Sequence, residues 1–126
     1  MQLPSPSLLL LLSSLTLAKP SPSTLYATHY NGHVYTLTLN ENENNLSLAS
    51  TANTCGSMPS WLTLDTASRT LYCTDETADE GSETALSIDD DNGALTETAT
   101  AKDVGGGVNS VIYHGDAEKK FLAVAH

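Results

Sequence analysis

The chain has 126 residues and 13.3 kDa, with 5 Lys+Arg against 15 Asp+Glu and a formal net charge of −10. That length holds one modest domain at most, and a hydrophobic content of 40% separates it from compositionally disordered chains. The acidic balance argues against nucleic acid and anionic membrane surfaces as partners, because Lys and Arg supply most of the affinity for both.

The first predicted element is a leader. Leu8 to Leu12 is an unbroken Leu run, extended by Leu15, Leu17 and Ala18, interrupted by Ser13, Ser14 and Thr16, and ended by Lys19-Pro20. The stretch is too short for the ~20 residues of a spanning helix but suits the apolar region of a secretory signal. Thr16-Leu17-Ala18 places a small residue before a cut after Ala18. Residues 1–18 are therefore expected to be a signal peptide and the protein to be secreted. An uncleaved apolar N-terminus on a cytosolic protein is the alternative. Residues 19–23, with Ser21-Pro22-Ser23, are a linker into the fold.

From residue 24 onwards the hydrophobic period is two, which predicts strands. The first three lie near 24–29, 34–39 and 46–51, with Tyr35, Leu37 and Leu39 alternating with Thr36 and Thr38. Asn45-Leu46-Ser47 is a sequon on a predicted turn, which makes Asn45 a glycosylation candidate. Cys55 follows in a loop. Export would permit its disulfide with Cys73, but Cys73 falls in a strand whose hairpin partner lies near Leu62, so two buried free thiols are expected. Four strands come next, near 60–64, 70–75, 83–88 and 95–100, with turns at Asp65-Thr66-Ala67-Ser68 and Asp90-Asp91-Asn92-Gly93. The last two, near 109–113 and 120–125, flank His114-Gly115-Asp116. No segment carries a helical period.

These strands repeat. Pro59–Glu76 superposes on Asn109–His126 at an offset of 50, with Ser60/Ser110 and Ala67/Ala117 identical. Apolar positions agree at Trp61/Val111, Leu62/Ile112 and Leu71/Phe121, and basic ones at Arg69/Lys119. Gly32–Thr51 superposes on Gly81–Thr100 at an offset of 49, with Gly32/Gly81, Leu37/Leu86, Leu46/Leu95 and Thr51/Thr100 identical. Leu25-Tyr26-Ala27-Thr28 lies over Leu71-Tyr72-Cys73-Thr74. Four-stranded units of ~40–50 residues are the mark of a β-propeller. The fold class is thus all-β, a partial β-propeller. One complete four-stranded blade (59–101) is flanked by incomplete blades at 24–51 and 108–126. Four blades would already need ~200 residues, and the chain stops inside an apolar strand, so residues 24–126 are expected to be the N-terminal part of a longer propeller. A self-contained β-sandwich of nine short strands is the structural alternative.

The stretch PSWLTLDTASRTLYCTDE, followed by Gly81, Leu86-Ser87-Ile88 and Gly93-Ala94-Leu95-Thr96, resembles the lactonase family of seven-bladed propellers. That family includes bacterial-type 6-phosphogluconolactonase and the fungal 3-carboxy-cis,cis-muconate lactonising enzyme. Its phrase is matched at Pro59, Ser60, Leu62, Leu64, Asp65, Arg69, Leu71, Tyr72, Asp75 and Glu76. The resemblance covers about residues 24–126. It implies a parent protein that hydrolyses a sugar or organic-acid lactone or lactonises a carboxymuconate, with a small-molecule lactone or organic acid as partner. Neither reaction calls for a redox cofactor, and no cofactor or metal is expected. The resemblance also implies that the family's His, Arg and Glu catalytic residues lie mostly in later blades, which would leave these 126 residues inactive by themselves. A secreted, non-catalytic binding propeller is the alternative, since fold does not fix function.

Within this chain the weak catalytic candidates are His29, Asp75, Glu76 and His126. By the repeat, His29-Tyr30, Asp75-Glu76 and Ala125-His126 are equivalent strand ends on one face, beside the loops Cys55-Gly56-Ser57-Met58 and Gly105-Gly106-Gly107. Carboxylates and imidazoles there could transfer protons at a lactone; otherwise each is a solvated strand end. Arg69 is expected at a surface turn away from that face. Asp89-Asp90-Asp91-Asn92-Gly93 fails the EF-hand spacing, because Gly93 falls at position five, and is expected to be a hairpin turn. Gly105-Gly106-Gly107 lacks the Lys-Ser/Thr of a phosphate loop. His33 and His114 have no metal spacing. Asp75 to Asp91 holds eight acidic residues in seventeen and is expected to be a solvated loop and strand edge.

Overall fold

The computed structural model describes residues 21–115 and 119–126. The predicted leader at 1–18, the start of the linker and Ala117 of the repeat lie outside them. Among the described residues nine strands form three antiparallel sheets, taken consecutively along the chain. The first holds β1 (Ser23–His29), β2 (His33–Asn40) and β3 (Asn45–Asn53) in that order. The second holds β4 (Pro59–Asp65), β5 (Thr70–Asp75), β6 (Glu80–Ile88) and β7 (Leu95–Val104). The third holds β8 (Asn109–His114) and β9 (Lys120–Ala125). One four-stranded blade between two incomplete ones is the architecture that the period and the repeat predict. A sandwich would instead spread consecutive strands over two facing sheets.

Buried side chains occur on more than one face, because each sheet packs against its neighbours. Val34, Leu71, Leu86 and the two cysteines form the fully buried core, with Tyr26, Leu62, Ile88 and Leu95 packed against it. Thr36, Thr74 and Thr84 are buried as deeply as these apolar residues. Their β-branched shape suits the pleat, but a buried hydroxyl needs a partner. Thr74 Oγ1 donates to Ser110 Oγ at 3.2 Å, from the second sheet to the third. One blade earlier, Thr28 Oγ1 lies 3.4 Å from the Pro59 carbonyl oxygen, joining the first sheet to the second. Ser60 Oγ in turn donates to the Gly107 carbonyl at 3.1 Å. Thr28/Thr74 and Ser60/Ser110 are positions that the repeat superposes, so its shared hydroxyls line the joints between sheets.

The cysteines form a disulfide, contrary to the expected free thiols. Leu62 does face Cys73 in the β4–β5 register, as the sequence suggests. What the hairpin pattern omits is the path of the loop before β4. Cys55 (φ 76°) and Gly56 (φ 69°) are consecutive left-handed residues, and the Met58 amide donates to Asp75 Oδ1 at 2.9 Å. The loop therefore doubles back over β5, bringing the cysteine Cα atoms to 5.8 Å. No L-residue collides less with such a backbone than glycine, and a Cβ on Gly56 would overlap the Asp75 carboxylate.

At the opposite rim the turns lock together. Asp65 accepts from the Ala67 and Ser68 amides at 3.1 and 3.4 Å and from Ser68 Oγ at 2.7 Å. Asp89 Oδ1 accepts from the Asp91 and Asn92 amides at 3.0 and 3.1 Å, shaping the turn between β6 and β7. Arg69 sits in the β4–β5 turn and reaches across, pairing with Asp90 and donating from Nη2 to the Asp89 carbonyl at 2.9 Å. The Gly93 carbonyl receives Tyr26 Oη at 2.9 Å and Thr36 Oγ1 at 3.4 Å, so this turn also anchors the first sheet.

Candidate functional site

The residues that follow β1, β5 and β9, and the loops that lead into β4 and β8, occupy one rim. Contacts run along it from blade to blade. Tyr30 donates its phenol hydrogen to Glu76 Oε2 at 2.5 Å, from the first sheet's turn to the second sheet's loop. Ser57 Oγ and Thr77 Oγ1 lie 2.9 Å apart. The Gly106 amide donates to the Thr77 carbonyl at 3.2 Å, and His126 Nδ1 lies 3.3 Å from the Gly105 carbonyl oxygen. Gly32 makes the close approach on the first sheet's side: a Cβ there would stand 3.0 Å from the Gly56 carbonyl.

The predicted site residues take different places on this rim. His29 ends β1 and is exposed. Glu76 is half-buried beside the exposed Tyr30, and its hydrogen bond, followed by desolvation and the Glu76 charge, pushes the Tyr30 phenol above its ordinary range. His126 places Nε2 3.3 Å from Asp103 Oδ2, at the end of β7. Asp75 is buried, and its Oδ1 is occupied by the Met58 amide, the Thr77 amide at 3.3 Å and Thr77 Oγ1 at 2.8 Å. Its carboxylate holds the loops together instead of meeting solvent. Among the described residues, no three His, Cys, Asp or Glu side chains come together as a metal site.

The acidic run is not uniformly solvated, which corrects the expectation for Asp75 to Asp91. Besides Asp75, Glu83 has both carboxylate oxygens buried. It faces a cleft of about 410 Å³ between the second and third sheets, with Tyr72, Ala85, Asp103, Leu122 and Val124. Burial pushes the Glu83 carboxyl above its ordinary range and the Asp103 charge adds to that, while the Thr74 hydroxyl across the strand pair and the His126 ring work against it. Period two in β6 was the available signal. It puts Glu83 on the face opposite Thr84 and Leu86, but cannot tell that a neighbouring sheet covers that face.

The family model of the lactonase seven-bladed β-propeller matches residues 24–126. The chain belongs to that family. The three sheets are accordingly blades of a lactonase-type propeller, and the rim carrying Tyr30, Glu76 and His126 is the end of this lactonase-family fold at which its second strands finish. A search of curated proteins found no match.

Proposed function

We propose that this chain supplies the opening blades of a secreted lactonase-type ring that opens or closes a lactone of a sugar or organic acid. The observation that carries the reading is the family match together with the Tyr30–Glu76 pair at the rim. Lactone opening needs a base to take a proton from water and a donor to the oxyanion that develops at the carbonyl. The Glu76 carboxylate is of the first type, and the Tyr30 phenol is of the second once its single hydrogen turns from Glu76 to the substrate. Nine strands are described where seven four-stranded blades use about 28, so the 126 residues alone are read as inactive. The buried disulfide supports export, since such bonds persist in oxidising compartments.

The test uses the protein isolated from its native source and a panel of sugar and organic-acid lactones, with acid release followed at constant pH. Turnover is expected, falling about a hundredfold or more with Glu76→Gln and unchanged with Glu80→Gln, whose partner is the exposed Lys102. No turnover of any lactone overturns the enzymatic reading in favour of a binding propeller; turnover unaffected by Glu76→Gln removes Glu76 alone. N-terminal sequencing of the secreted protein is expected to start at Lys19, and a start at Met1 overturns the signal peptide.

A further inference from the structure

β3 pairs with β2 along one edge, and no strand lies along its other edge among the described residues. An open edge is a template for another chain, and folded proteins blunt it with charge, bulges or a cover. The corresponding outer strand of the second sheet, β7, carries Glu97, Lys102 and Asp103. β3 is NLSLASTAN and carries no charge at all. At the offset of 49 that superposes the two strands, Leu48 stands where β7 has Glu97. Leu95 of β7 packs against the core, whereas Leu46, its counterpart, is 55% exposed and Leu48 is 60% exposed. A bulge interrupts the register opposite Thr36 and Leu37, and bulges twist an edge away from pairing. The regular, adhesive part of the edge is therefore Asn45 to Leu48, every residue of it exposed. Those same residues contain the sequon Asn45-Leu46-Ser47.

We propose that Asn45 carries an N-linked oligosaccharide that covers the apolar outer edge of β3. This rests on the secretory passage proposed above. In the transfer, the Asn45 amide nitrogen bonds to C1 of an oligosaccharide carried on a polyprenyl pyrophosphate. The C1–oxygen bond to the pyrophosphate breaks, the lipid pyrophosphate leaves with the bonding pair, and the amide gives up one proton. Ser47, two residues on, presents its hydroxyl on the same side of the strand as Asn45. The bulky, hydrated glycan stands over the uncharged edge and does there what Glu97 does on β7.

The test expresses the chain in a eukaryotic secretory host, once with its own leader and once with residues 1–18 replaced by a leader of proven export. A single endoglycosidase-sensitive step in mass is expected for the wild type and Ser47→Thr, and none for Ser47→Ala or Asn45→Gln. Enzymatic removal of the glycan from folded protein is expected to speed its self-association in light scattering, and Leu48→Glu to suppress that association. Exported, disulfide-bonded protein with bare Asn45 overturns the proposal. A glycan whose removal leaves association unchanged overturns its covering role. Retention of the native-leader chain while the other is exported and glycosylated counts against the secretory reading only.

Discussion

Lys120 and Asp65, 55 residues apart in sequence, meet at 2.5 Å and tie the third sheet to the second. Asp65 already serves the turn after β4, so one carboxylate closes a hairpin and holds a neighbouring blade. The hydrogen bond from Lys120 first, and that from Ser68 next, hold its carboxyl well below the usual carboxylate range. A group with a depressed folded value contributes fully above its unfolded value of about 3.9, and loses that contribution as the pH falls towards the folded one. Thermal unfolding between pH 2 and 6 is expected to show a steep loss of Tm below about pH 4. Asp65→Asn should lower Tm at pH 6 and flatten the acid limb; an unaltered limb would rule Asp65 out as its source.

Glu83 has the opposite sign. Its folded value is raised, so its favourable share is complete below about pH 4.3 and disappears as the pH rises through the raised value. At neutral pH the buried carboxylate is a liability, because desolvation outweighs what the Thr74 hydroxyl returns. Glu83→Gln is expected to raise Tm at pH 7 and to change little at pH 3.5. Equal effects at both pH values would show that shape, not charge, is responsible.

The disulfide closes a separation of 18 residues, for which chain-entropy reasoning gives about 3 kcal/mol. The repeat itself suggests a conservative replacement, because Gly105 and Ala123 stand at the positions of Cys55 and Cys73 in the third sheet. Glycine also eases the left-handed backbone at residue 55. Urea unfolding should show the reduced wild type and the Cys55→Gly/Cys73→Ala variant both less stable by about 2–4 kcal/mol. Equal midpoints for oxidised and reduced protein would contradict this.

Gly56 and Gly106 offer a matched pair, with φ of 69° and 82°. A Cβ on Gly106 meets nothing within 4 Å, whereas one on Gly56 overlaps the Asp75 carboxylate. Gly106→Ala is therefore expected to cost about 1–2 kcal/mol, the left-handed penalty alone. Gly56→Ala displaces Asp75 from Met58 and Thr77 and should cost about 3 kcal/mol or more. Similar losses in the two variants would mean that Asp75 moves aside freely.

The strands were legible because alternation, Asx turns and the repeat are local signals that agreed with one another. Period two around Leu62, Leu71 and Leu86 located their strands, and the superposition of Tyr30, Glu76 and His126 placed them on one rim. What sequence left open was the set of contacts between sheets. That Tyr30 reaches Glu76 depends on how two turns lean together, and that Glu83 is covered depends on a sheet some forty residues later in the chain. The disulfide was missed for a related reason: the loop before β4 reverses through a non-glycine residue at φ 76°, a conformation no propensity would assign to Cys55.

The hydroxyl joints have a consequence for how such a molecule can grow. The second sheet turns its strand-two Thr74 and its strand-one Ser60 to the same neighbour, the third, and Thr28 of the first sheet likewise reaches the second at the Pro59 carbonyl. One joint thus repeats the other, with a strand-two Thr of one sheet set against the first strand of the next. Tandem duplication of the coding segment would yield a unit already fitted to both neighbours, head to tail. Sequence could then drift elsewhere in each copy, as the sparse identities between these blades show, while the few atoms at the joint kept every copy in place.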